Sequence, residues 1–263
     1  MGTHSVARRP CGIREAWASV LGKKIAAAVS GAMLLAYLLL HMLGNLTALA
    51  GAGAAGARHG ADDGARIDGY AEWLRTFGEP LLPREAVLWG VRAVLLLALV
   101  VHVTAVVQLA RRNRAARPRG HGAKRIGRSW AARSMIVTGP LLLLFIVFHV
   151  LQFTTLTIDV TPLAHGAVYA NLHDAFAKWY FLVLYLTALG LVGFHLRHGI
   201  WSLLQTLGLD SRTRNRMLRR GATGVTLLIV VGFALIPVLF FTGGLPDPQP
   251  AAPHGAHGAE VSR

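Results

Sequence analysis

The sequence predicts an all-α integral membrane protein with five transmembrane helices, and three observations predict it. Of the 263 residues, 54% are hydrophobic and only 15% charged, a balance too apolar for a soluble domain of this length. Five stretches, at 25–50, 86–110, 134–157, 175–200 and 221–242, each supply the run of about 20 apolar residues that a bilayer demands. The charges alternate along the chain. Twenty of the 27 Lys and Arg residues fall before or at Lys24, between Arg111 and Arg133, or between Arg197 and Arg220, whereas ten of the twelve acids fall in the other connections and the tail. This positive-inside distribution predicts a cytoplasmic N-terminus and a C-terminus outside.

Each part follows in order. Residues 1–24 form a short basic cytoplasmic segment, 25–242 the five-helix domain, and 243–263 a flexible extracytoplasmic tail. The first span lacks the short apolar core and small-residue cleavage pattern of a signal peptide and reads as a permanent helix. The glycine- and alanine-rich run near 51–57 and the HGAHG of the tail are low-complexity pieces. The net charge of +15 sets topology here. No basic domain interleaved with aromatics is present, so no nucleic-acid partner is expected. The single cysteine, Cys11, excludes an internal disulfide and a thiolate metal cluster, and neither a dinucleotide fingerprint nor a phosphate loop occurs.

Chemistry therefore belongs to ionisable groups inside the membrane, where they are costly. Four of the five spans carry such a group: His41, His102, His149 and His195. With alternating span directions, His41 lies ~24 Å and His149 ~22 Å from the cytoplasmic start of their helices. His102 lies ~12 Å from the cytoplasmic face and His195 at a comparable depth. The histidines thus sort into an outer pair, His41 with His149, and an inner pair, His102 with His195. A second sign is a repeat. Ser30-Gly31 precedes His41 and Thr138-Gly139 precedes His149, each with eleven residues from hydroxyl to imidazole, close to three helical turns. Small residues can simply tighten helix packing, but a glycine on the histidine face also admits a flat macrocycle.

Two imidazoles at each of two depths, with no acid or thiolate beside them, match the needs of two haem b groups, whose iron takes two axial donors. Zinc or a di-iron centre would require carboxylates or thiolates. The first four helices are therefore expected to form a haem-holding bundle, with the bilayer as its solvent. Propionates call for cationic donors. Lys24, Arg133 and His198 are the candidates toward the cytoplasm, and Arg92 toward the outside. His198 shares a face with His195 and is the alternative ligand to it.

The pieces SVLGKKIAAAVSGAMLLAYLLLHMLGNL, LWGVRAVLLLALVVHV, SMIVTGPLLLLFIVFHVLQF and GFHLRHGIWSLLQTLG together resemble the diheme cytochrome b subunit of succinate dehydrogenase and fumarate reductase, in the five-span cytochrome b558 form. HLRHG with Ser202 and Gln205 looks like the signature of its fourth span. The resemblance implies that His41, His102, His149 and His195 ligate two haems. It implies a membrane anchor, in a bacterial cytoplasmic membrane, for a flavoprotein and an iron–sulfur subunit. Electrons would run between succinate or fumarate and a membrane quinone, menaquinone by expectation, with no dicarboxylate site in this chain. The outer loop places Ile67, Tyr70, Trp73, Leu74 and Phe77 at helical spacing, which predicts an interfacial amphipathic helix. Such a helix could roof a quinone pocket formed by Tyr70, Glu72, Trp73 and Glu79, with an acid exchanging protons, or could merely anchor the loop at the interface. Two rival readings stay open: an anchor for another dehydrogenase, such as a formate- or hydrogen-oxidising one, and a haem-free structural or transport protein whose histidines bind helices together.

Overall fold

A computed structural model describes residues 12–50, 66–116, 130–158 and 165–248, apart from the side chains of Ile13, Ala16 and 130–133. Among these residues every regular element is helical: α1 (Ile13–Ala18), α2 (Val20–Leu46), α3 (Arg66–Thr76), α4 (Ala86–Ala115), α5 (Trp130–Phe153), α6 (Val168–Phe176), α7 (Trp179–Thr206) and α8 (Asn215–Phe241), with one 3-10 turn at Thr47–Ala50. Five of the helices, α2, α4, α5, α7 and α8, are long and apolar enough to cross a membrane. The chain is an all-α, multi-pass membrane protein. Its surface says the same: Leu40, Leu97, Leu144 and Leu228 are each roughly 60% exposed or more, as suits side chains whose solvent is lipid.

The first span begins earlier than composition places it, because Ser19 is an N-cap. Its backbone is extended and its hydroxyl accepts from the Gly22 amide at 2.8 Å, which starts α2 at Val20 and brings both lysines onto the helix. The fourth span begins later than expected, at Trp179 instead of 175. The chain before it forms a separate amphipathic helix, α6, and Lys178 then adopts an extended conformation that breaks the two apart. In α6 the buried Tyr169, Leu172, Ala175 and Phe176 recur at helical spacing on one face. The helix expected in this loop is present as α3, with Ile67 buried and Trp73 exposed, as is Phe77 just beyond its end.

α2 packs most extensively on α4, and α7 on both α5 and α8, while α8 also meets α2. The best-packed core lies at one end of the bundle, where α3 and α6 cover the helices. Ile67, Tyr169, Phe176, Phe181, Tyr185, Ile236 and Phe240 cluster there. We call this the capped end, and the opposite one, bearing Arg111 to Arg114 and Arg212 to Arg220, the basic end. Several polar ties fasten the cap. Asp68 accepts from the Tyr169 amide at 3.0 Å, the Tyr169 hydroxyl donates to the Pro246 carbonyl at 2.8 Å, and His173 lies 3.2 Å from Asp247. Burial pushes the Asp68 carboxyl above its ordinary range, against the pull of the Tyr169 and Val168 amides. Through these contacts and the buried Leu245, the first residues of the tail, expected to be flexible, are packed onto the cap. Cys11, the remaining tail, and most of the glycine-rich stretch lie outside the described residues.

Candidate functional site

The two levels anticipated from depth are present as helix positions. His102 and His195 each follow the first residue of their helix by sixteen positions, counted from Ala86 and from Trp179. His41 and His149 lie near the capped end, five residues before Leu46 and four before Phe153. The capped-end pair meets ring to ring: the His41 and His149 centroids are 5.9 Å apart, with planes at 70°. A metal held by two imidazole nitrogens at about 2 Å each puts the ring centroids about 6 Å apart. At the second level His102 lies against Ser30 of α2 and His195 against Thr138 of α5.

Hydrogen bonds on Nδ1 decide which nitrogen each ring can offer. The Tyr185 hydroxyl donates to Gln152 Oε1 at 2.8 Å, so it is free to accept from His149 Nδ1–H at 3.2 Å. This relay assigns the proton to Nδ1 and leaves the Nε2 lone pair for a ligand. Gln152 is almost wholly buried, a polar side chain kept in an apolar layer by this contact. At the other level the Ser30 hydroxyl donates to the Ala26 carbonyl at 2.6 Å. His102 Nδ1 lies 3.1 Å from the Ala27 carbonyl and 3.3 Å from Ser30 Oγ. The carbonyl can only accept, so His102 also carries its proton on Nδ1 and keeps Nε2 free. Thr138 Oγ1 lies 3.4 Å from His195 Nδ1.

These contacts cross between helices. The hydroxyl does not serve the histidine that follows it on the same helix. Ser30 of α2 supports His102 of α4, and Thr138 of α5 supports His195 of α7. Eleven residues advance a helix by ~16 Å, which carries the hydroxyl to one level and the histidine to the other. The repeat therefore marks helices that contribute to both levels. Gly31 lies against the second level. A Cβ there would meet His102 Cε1 at 3.1 Å, so the glycine gives this imidazole room, whereas Gly139 has open space before it.

The capped-end pair is walled by aromatic rings. Tyr37 stacks on His41 at 5.5 Å and 7°, Phe233 of α8 lies 5.5 Å from it, and Phe145, Phe153 and Tyr185 surround His149 at 5.7 to 5.9 Å. Met42 fits against Gly232, bringing α8 close to α2. Among the cationic candidates, Arg92 reaches the capped-end level. It lies over the Trp89 ring at 4.7 Å and is an electrostatic neighbour of Tyr37. Lys24 is exposed, while its neighbour Lys23 is buried and donates to the Trp17 carbonyl. Face arithmetic could have found Lys23: it precedes His41 by eighteen residues, about five whole turns. His198 borders a small groove with Arg197, Trp201 and Arg219, on the side of α7 toward α8. The Arg133 side chain lies outside the described ones.

The quinone candidates separate. Tyr70 packs on α2, where a Cβ at Gly44 would meet its ring edge at 2.5 Å, and it stacks with Trp73. Glu72 is exposed and ion-paired to Arg84 at 2.6 Å, and Trp73 and Glu79 are exposed as well. Sequence reasoning missed Tyr37, Gln152, Tyr185 and Lys23. Tyr37 is one turn before His41 and was recoverable from spacing, whereas Tyr185 meets His149 only in three dimensions. Among the described residues no cluster of three or more metal-ligating side chains occurs. No known protein family, curated protein or solved structure matches the chain.

Proposed function

We propose that this chain is the diheme cytochrome b membrane anchor of a succinate:quinone oxidoreductase, a succinate dehydrogenase or fumarate reductase. It would link an iron–sulfur and flavoprotein pair at its basic end to quinone in a bacterial cytoplasmic membrane. The observation that carries the haem reading is the His41–His149 ring pair, 5.9 Å apart, with His102 and His195 sixteen positions into their helices at another level. The donor set fits haem b: neutral imidazoles with Nδ1 engaged, Nε2 available and a dry wall around them. The choice of succinate rests on the motif resemblance of the four spans.

Haem b, when bound, supplies reversible one-electron iron chemistry at two depths. The chain's own residues do the rest. Tyr185 with Gln152, and Ser30 with the Ala27 carbonyl, fix ring orientation and tautomer. The aromatic wall excludes water from the capped-end level, and a low dielectric there makes each nearby charge count for more. Arg92 brings a positive charge to that level, while Lys23 is held on the Trp17 carbonyl and ring. Positive inner flanks orient the protein with its basic end in the cytoplasm. Tyr70 and Tyr37, next to the capped-end pair, are the hydroxyl-bearing side chains positioned to meet a quinone headgroup.

The test is the native complex from membranes, reduced with succinate. Haem b reduced by succinate and reoxidised by a quinone analogue is the expected result. Haem that responds to dithionite but not to succinate in an intact complex would assign the anchor to another dehydrogenase. A chain without haem would end the proposal.

A further inference from the structure

The basic end holds a feature that the haem reading does not use. A groove of about 440 Å³ runs between α7 and α8, walled by Arg197, Arg216, Arg219 and Arg220. Among the described residues none of the four pairs with a carboxylate; the ion pairs present involve Arg75, Arg84 and His173. Two of the guanidinium groups are held in place. Arg219 lies over the Trp201 ring at 4.2 Å, and Arg197 Nε donates to Thr223 Oγ1 at 3.4 Å. Side chains fixed in this way lose less freedom when they bind an anion.

The other half of the groove is apolar. Gly224 has open space in front of it, and Leu227, 57% exposed, continues the same face of α8. From Arg216 to Leu227 the helix descends ~16 Å, the distance from a headgroup layer into acyl chains. A soluble anion would use only the upper half, and a soluble protein would stop at the membrane surface. Trp201 sits at the level where indoles favour the interface.

We propose that this groove is a binding site for one anionic phospholipid. The arginines clasp the phosphate, and an acyl chain lies along Gly224 and Leu227. Four arginines that pair with no carboxylate among the described residues, beside an apolar trough, suit a lipid of net negative charge and disfavour a zwitterionic one.

Native mass spectrometry of the full chain in mild detergent tests this, with dioleoylphosphatidylglycerol and dioleoylphosphatidylcholine as probes. One phosphatidylglycerol should be retained per chain where phosphatidylcholine is not. Arg216→Gln/Arg219→Gln/Arg220→Gln should weaken retention on the order of a hundredfold. Gly224→Trp should abolish it with every charge intact, because the ring enters open space and fills the trough. That second variant decides the matter if the first does not fold. Equal retention of both lipids, or unchanged retention in the variants, overturns the proposal. So does displacement by inorganic phosphate, which marks a soluble-anion site. Arginine variants that keep the lipid but lose a soluble subunit would show a protein-docking surface instead, and overturn it too.

Discussion

The two histidine levels are built differently. At the capped end His41 and His149 sit among five aromatic rings, and His149 is oriented by a buried tyrosine–glutamine relay. At the lower level single hydroxyls and one backbone carbonyl hold the rings, and the supports come from the neighbouring helix of each pair. The contrast teaches where rigidity resides. Capped-end geometry is set by packing that involves α3, α6, α7 and α8, whereas lower-level geometry is set by pairwise contact of α2 with α4 and of α5 with α7. Two haems in such surroundings would differ in potential, because aromatic enclosure and nearby charge both tune it.

The largest break in this comparison comes from the ligands. His41→Ala and His149→Ala should each remove the same haem, and His102→Ala and His195→Ala the other, so that haem content falls by about half in every case. Redox titration identifies which component is lost. Depletion of one shared component by His41→Ala and His102→Ala would show that the pairing is wrong.

Next in size is Tyr185→Phe. It strips His149 of its acceptor and leaves the buried Gln152 carbonyl unpaired, a loss of about 1–3 kcal/mol. Thermal melting should report that loss, and only the capped-end component should change potential. Ser30→Ala should cost less, about 0.5–1.5 kcal/mol, because the Ala27 carbonyl still holds His102. Its shift in potential should be confined to the lower component. A Ser30→Ala shift at the capped end would contradict the crossed support.

Gly44→Ala sharpens the account of the cap. The new methyl meets the Tyr70 ring, so α3 must move, at a cost of about 1–3 kcal/mol. Protease sensitivity of the α3 segment should rise while haem content stays at its original value. The smallest effect concerns pH. Asp68 has its folded carboxyl raised, so the folded protein binds the proton more tightly than the unfolded one. Cap stability is then greatest below the ordinary aspartate range and declines as pH rises through the raised value. Asp68→Asn should flatten that slope in a pH series of melting temperatures.

Much of this was legible in the sequence. Five apolar runs gave the spans, and helix rise alone sorted four histidines into two levels. The spacing of Ile67, Tyr70 and Trp73 announced α3. What was not legible lies between helices. Spacing relates residues on one helix, so it shows Ser30 and His41 sharing a face of α2 but not that Ser30 meets His102 of α4. Tyr185 and Gln152 are far apart in sequence and meet only when α5 and α7 pack. The propionate candidate Lys24 is exposed, and its neighbour Lys23 is the buried lysine, a difference that turn counting along α2 makes visible. The apolar run of the fourth span reaches back to 175, into the last residues of α6, and only the extended Lys178 divides the two helices.

The most direct measurement is the haem content and reduced-minus-oxidised spectrum of the purified full-length chain. The account predicts two haems b per chain, each with the low-spin spectrum of bis-histidine ligation. A purified, folded chain that contains no haem, or only one haem left intact by every histidine substitution, would contradict it.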